Sequence, residues 1–87
     1  MDRIDLARIP PHVRRSAAHR PDVSPHVLEL LAADPDPDVR LAVASNPMTP
    51  PEVLQRLAAD SVNRVAARAG IGLAVSHILF TNERSLV

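Results

Sequence analysis

Apolar positions in this chain fall in short stripes separated by prolines. Between residues 35 and 60, Val39, Ala42 and Val43 sit at i, i+3 and i+4, and Val53, Leu54 and Leu57 repeat that kind of spacing beyond Asn46-Pro47. Each stripe marks one face of a helix. The punctuation agrees. Asp36 is placed to cap the first helix, with Pro37 at its first position, where no N–H is needed. Asn46 should end it, because a residue before proline is steered away from helical angles. The second helix is expected to open on Thr49-Pro50-Pro51-Glu52, the spacing of a capping box. No stretch sustains period-two alternation and proline recurs every few residues, so strands are not expected.

The pattern repeats. Laid over residues 35–60, residues 9–34 show 12 identities: Pro11/Pro37, Val13/Val39, Arg14/Arg40, Ala18/Ala44, Pro21/Pro47, Pro25/Pro51, Val27/Val53, Leu28/Leu54, Leu31/Leu57, Ala32/Ala58, Ala33/Ala59 and Asp34/Asp60. These are helix boundaries and apolar positions, the two kinds that dictate structure. Helices shorter than about 12–15 residues are marginal alone in water. Each unit therefore depends on its neighbour to cover its apolar face, which is the logic of a solenoid.

The run V-R-x-x-V-A-x-N-P-x-T-P-P-E-V-L-x-x-L-A-x-D, from Val39 to Asp60, resembles the leucine-rich repeat variant, a helical repeat of about 26 residues related to HEAT repeats. The resemblance spans roughly residues 9–70. It implies an all-α fold, a short right-handed solenoid in which each repeat pairs an α with a 3₁₀ helix and no β-sheet forms. It specifies a fold more sharply than a function.

Flanking segments follow from the repeat. Residues 1–8 are expected to be a lead-in, with Ile4, Leu6 and Ile9 able to cover the first repeat, 9–34. There the counterparts of Val39, Ala42 and Val43 are Val13, Ser16 and Ala17, a weaker stripe that suits a terminal unit. After the second repeat, 35–60, residues 61–70 read as a partial third. Val62, Val65, Ala66 and Ala69 form its stripe, its approach is shortened by three residues, and Asn63 stands where the repeat has arginine. Gly70-Ile71-Gly72 then separates off residues 71–87, an apolar segment expected either to cap the solenoid or to form an interface. A repeat array that continues further would look the same.

Composition narrows the chemistry. Ten arginines balance seven aspartates and three glutamates, so no strong generic attraction to polyanions is expected. The absence of lysine beside abundant Ala, Pro, Val and Asp fits a GC-rich genome. With no cysteine, the chain has no disulfide, thiolate metal site, iron–sulfur cluster or cysteine nucleophile to offer. Some leucine-rich repeat variant proteins carry an iron–sulfur module, and this chain lacks the ligands for one. The acidic start Met1-Asp2-Arg3-Ile4-Asp5 is unlike a signal peptide, and the apolar run 73–80 is too short to cross a bilayer, so a cytoplasmic protein is expected.

No constellation for catalysis or cofactor binding is visible. His12, His19 and His26 are spaced by seven, but the Pro21 to Pro25 break keeps them off one helix face, and ordinary exposed histidines explain them. Asp34, Asp36 and Asp38 alternate like calcium ligands yet lack the glycine turn and the later bidentate acid. Ser24 and Ser45 have no triad partners, and two glycines cannot build a phosphate loop. An enzyme is not expected.

Arg14 and Arg40 occupy the same position in successive units. They could track phosphates, with Arg15, Arg20 and Arg56 as further contacts. The simpler expectation is structural, because Asp34 precedes Arg40 by six, resembling the Asp/Arg spacing with which HEAT repeats tie units together. The expected function is a protein-interaction module, with self-association through Leu73, Val75, Ile78, Leu79 and Phe80. Weak nucleic-acid binding is the alternative, disfavoured by neutral charge and the near absence of stacking aromatics.

Overall fold

The computed structural model describes residues 6–85, with the side chains of residues 7 and 79–85 excepted. A single 3₁₀ turn, Leu6–Arg8, leads into five helices: α1 (Pro11–His19), α2 (Pro25–Leu31), α3 (Pro37–Ser45), α4 (Pro51–Ala58) and α5 (Asn63–Ser85). No strand occurs among the described residues. Helices α1, α3 and α5 stack side by side as one layer, and α2 and α4 line the other. Two helix pairs and a terminal long helix thus make an all-α solenoid.

Proline sets the phase. Each of α1 to α4 begins on one, at the position where the lost N–H costs nothing. Asp36 caps α3 as expected, its carboxylate accepting from the Asp38 N–H at 2.8 Å. Ser24 caps α2 by accepting from Val27 N–H at 3.2 Å. The capping box expected at Thr49 does not form. Pro50 is the residue that precedes α4, and the Thr49 hydroxyl instead donates to the Val43 carbonyl at 2.7 Å. Buried just beyond the end of α3, Thr49 adds a second donor to a carbonyl that also accepts from the Asn46 N–H at 3.1 Å.

Both helices of each repeat are α rather than an α/3₁₀ alternation. In α2 the Leu28 and Ala32 N–H groups bond back four residues, to Ser24 and Leu28. Three-residue bonds occur only at the helix ends, as at Val53 at the start of α4, at Ala33 and Asp34, and at Ala59 and Asp60.

The core follows the stripes. Val39, Ala42, Val43, Val53, Leu54 and Leu57 are all buried, joined by Leu28, Leu31, Val65 and Ala69. Each fully buried valine or leucine contributes about 1.5–3 kcal/mol, so these positions hold helices too short to persist alone. In the first repeat Val13 is 44% exposed, as a terminal unit requires. Leu6 of the lead-in packs against the core, whereas Ile4 lies outside the described residues.

Two expectations for the third unit fail. Its approach is not shortened: α5 begins at Asn63, 26 residues after Pro37, and Val65 and Ala69 are buried like Val39 and Val43. Asn63 therefore takes the place of Pro37, and Ala66 takes that of Arg40. Nor does Gly70-Ile71-Gly72 divide a partial repeat from a separate segment, because α5 runs through both glycines with ordinary negative φ angles. Glycine inside a helix costs about 1 kcal/mol but does not end it. What ends α3 is Pro47, and its counterpart is Leu73.

Candidate functional site

The repeated charges meet within each unit, tying its start to its end. Arg14, on the inner side of α1, forms a two-pronged pair with Asp34, Nε to Oδ2 at 2.7 Å and Nη2 to Oδ1 at 3.2 Å. Its Nη1 donates to the carbonyls of Leu6, at 2.8 Å, and Ile9. Arg40 repeats this on Asp60 at 2.7 and 3.2 Å, with its Nη1 on the carbonyls of Asp34 and Pro35. Each acid also accepts an N–H two residues on, Asp36 for Asp34 and Val62 for Asp60, both at 2.9 Å. A continuous clasp results. Arg14 holds the Asp34 side chain, Arg40 holds the Asp34 backbone, and Asp60 holds Arg40.

Burial grades the two pairs. The Arg14 and Asp34 side chains are 8% and 0% exposed, against 15% and 10% for Arg40 and Asp60. The hydrogen bond from Arg40, helped by the Val62 N–H, holds the Asp60 carboxyl below its ordinary value against the opposing effect of burial. The same hydrogen bond raises the Arg40 guanidinium. The expected tie from Arg40 to the carboxylate six residues earlier is thus corrected: Arg40 takes only the carbonyl of Asp34, and its carboxylate partner is Asp60, 20 residues later. Ala66 in place of a third arginine ends the series.

Asn46 supplies a second tie that its role as a helix stop did not suggest. Its Nδ2 donates to the Ala18 and Arg20 carbonyls of the preceding unit at 2.8 and 2.9 Å, while its Oδ1 accepts from the Met48 N–H at 2.8 Å. The side chain is buried, and the loose end of α1 is thereby satisfied. Arg64 on α5 meets Asp38, its counterpart one repeat earlier, at 2.6 Å on the surface.

The other arginines are scattered. Arg15 and Arg56 are exposed. Arg20 forms an exposed pair with Asp22 at 3.0 Å, which draws the Asp22 carboxyl downward. The phosphate-tracking set of Arg14, Arg15, Arg20, Arg40 and Arg56 is not brought together on one face as free guanidinium groups, since Arg14 and Arg40 spend their donors inside the repeat. The four histidines are exposed, and no group of three or more His, Cys, Asp or Glu able to hold a metal occurs among the described residues. No described helix is long and apolar enough to cross a membrane.

The apolar candidates divide. Leu73 packs against the core, while Val75 and Ile78 are 50% and 57% exposed; the side chains of Leu79 and Phe80 lie outside those described. Ile71, 55% exposed, joins Val75 and Ile78 at i, i+4 and i+7 along α5, and Met48 is exposed nearby in sequence to the repeat boundary. Beside this stripe runs a groove of about 250 Å³ between the end of α3, α4 and α5, walled by Pro47, Leu54, Ile71, Gly72 and Val75. Gly72 permits the approach: a Cβ there would stand 3.2 Å from Leu54 Cδ1.

Paired helices stacked in register, clasped by an arginine and an aspartate from each unit, define a helical-repeat protein. The sequence profile of the leucine rich repeat variant family matches residues 11–36 and 37–62, more than half of the chain, and the protein belongs to that family. The matched units begin at the first residues of α1 and α3, in the register the clasp defines. No curated protein and no solved structure matches the chain.

Proposed function

We propose that the chain is a non-catalytic protein-interaction module, built on its leucine rich repeat variant units. The observation that carries this reading is the exposed stripe Ile71, Val75 and Ile78 on α5, beside an apolar groove. Contiguous apolar surface of this kind marks docking sites. The repeated Arg14, Asp34, Arg40 and Asp60, in contrast, are engaged with one another. A second copy is one partner that the stripe suits, giving self-association through Val75, Ile78 and the neighbouring C-terminal residues.

Nucleic-acid binding is disfavoured because the guanidinium groups of Arg14 and Arg40 are consumed by Asp34 and Asp60. Fluorescence anisotropy with duplex and single-stranded oligonucleotides, at low and near-physiological salt, tests it. No binding at either salt is expected. Binding that weakens steeply with salt and falls on Arg15→Ala plus Arg56→Ala would overturn the interaction reading in favour of phosphate contacts. Sedimentation of Ile78→Asp beside the unaltered protein tests the self-association part, with an unchanged mass counting against it.

A further inference from the structure

We infer that the groove between α3, α4 and α5 is a recognition notch for an asparagine carboxamide presented on an aliphatic turn of a partner polypeptide. The inference deepens the interaction-module reading and depends on it. It follows from comparing one repeat junction with the next. Between the first and second units, Asn46 inserts its carboxamide and donates both protons, to Ala18 O at 2.8 Å and Arg20 O at 2.9 Å. Twenty-six residues after Asn46 stands Gly72, which has no side chain to insert.

The acceptors remain. Ala44 is the counterpart of Ala18, and a Cβ built on Gly72 would lie 3.8 Å from the Ala44 carbonyl oxygen, so α5 does pass the same spot. Among the described residues no donor bonds that oxygen. Helix α3 has ended at Ser45, and the Met48 N–H that would otherwise return to Ala44 is held by Asn46 Oδ1. Asn46 is the counterpart of Arg20, and its own carbonyl, which accepts only from the Thr49 N–H at 3.1 Å, can take a second donor as Arg20 does. Ala44 and Asn46 both line the 250 Å³ groove, facing the apolar wall of Pro47, Leu54, Ile71 and Val75.

The occupant's chemistry follows from these walls. Two acceptors side by side call for a group with two donors, and the primary amide provides them at neutral charge. A carboxylate would face carbonyl oxygens and lose its hydration. An ammonium would enter an apolar wall with Arg68 at the rim. The Asn46 side chain of a second copy is itself buried in its own repeat junction, which argues for a different polypeptide.

The probe is a capped synthetic peptide with the sequence of residues 44–50, ASNPMTP, in which the asparagine precedes proline as it does in the filled junction. It is compared with its Asn46→Asp and Asn46→Leu versions by nuclear magnetic resonance titration of isotope-labelled protein. The asparagine peptide is expected to shift the resonances of Ala44, Leu54, Gly72 and Val75, with the other two peptides roughly ten-fold weaker, the effect of losing one charge-free pair of hydrogen bonds. Val75→Asp, at an exposed site that leaves the fold intact, is expected to abolish the shifts. Arg68→Ala is expected to leave the asparagine peptide unaffected, which separates amide recognition from charge pairing. Equal shifts from all three peptides, or none from the asparagine peptide, would overturn the inference. Either result leaves the interaction-module reading standing, because that reading fails only in the oligonucleotide measurement.

Discussion

Removing the Asp34 carboxylate tests the clasp most directly. Asp34→Ala strands the Arg14 side chain, only 8% exposed, on the carbonyls of Leu6 and Ile9, and frees the Asp36 N–H at the entry to α3. Breaking a buried ion pair by deleting one partner costs about 3–5 kcal/mol, because the survivor stays buried without its counter-charge. A domain of 87 residues has roughly 4–13 kcal/mol in total. The substitution therefore removes a large share of the stability and should leave the protein near its unfolding threshold.

Urea unfolding followed by far-ultraviolet circular dichroism measures this, since the chain has no tryptophan or tyrosine to report by fluorescence. The midpoint of Asp34→Ala should fall far below that of Asp22→Ala, whose pair with Arg20 is 67% exposed on both sides and should leave the midpoint where it was. Asp34→Asn, which keeps one acceptor oxygen but puts an NH2 donor in place of the other and loses the charge, should fall between. Replacing both partners, Arg14→Met with Asp34→Leu, should recover much of the loss, because neither charge is then stranded. Equal midpoints for Asp34→Ala and Asp22→Ala, or losses at Arg14 and Asp34 that simply add in a double-mutant cycle, would refute the clasp as a stabilising element.

Other junction contacts give graded outcomes. Asn46→Leu strips the Ala18 and Arg20 carbonyls of their donor and should cost about 1–3 kcal/mol by the same unfolding assay. Asp60 titrates lower when folded than unfolded, so its pairing stabilises above the unfolded carboxylate value, near pH 4, and is lost as pH falls through the lower folded value. Acid unfolding monitored by circular dichroism should therefore sharpen below about pH 4, and Asp60→Asn should flatten that limb. Val43→Ala, at a fully buried position of α3, should destabilise by roughly 1–3 kcal/mol through lost burial and the space left behind. A thermal melt little changed from the parent would place that side chain outside the core.

Most of the fold was written in short-range signals. Prolines at 11, 25, 37 and 51 start helices by a local rule, and the stripes around Val39 and Leu54 bury by periodicity, so both survive from sequence to structure. The clasp was half legible. Arg14/Arg40 and Asp34/Asp60 stood among the identities, and their shared spacing of 20 was the signal for the pairing, but the nearer acid, six residues away, drew attention instead. Proximity in sequence misled because the chain doubles back through a whole helix between Arg40 and Asp60, bringing the far end of the unit under its start.

The third unit went astray for a related reason. With its prolines gone, the register had only apolar residues to hold it, and the stripe Val62, Val65, Ala66, Ala69 is as good a helical pattern as Val65 with Ala69 alone. Burial separates the two: Val65 and Ala69 are fully covered, whereas Val62 and Ala66 are half-buried. Two glycines looked like a break, yet a break requires a residue that forbids the next turn, and Leu73 permits it where Pro47 does not. The same replacement that lengthens α5 also removes the Asn-Pro turn, and with it the carboxamide that closes the earlier junction. The extended helix and the open groove are in this sense one event, produced by changing Asn-Pro to Gly-Leu at a single repeat boundary.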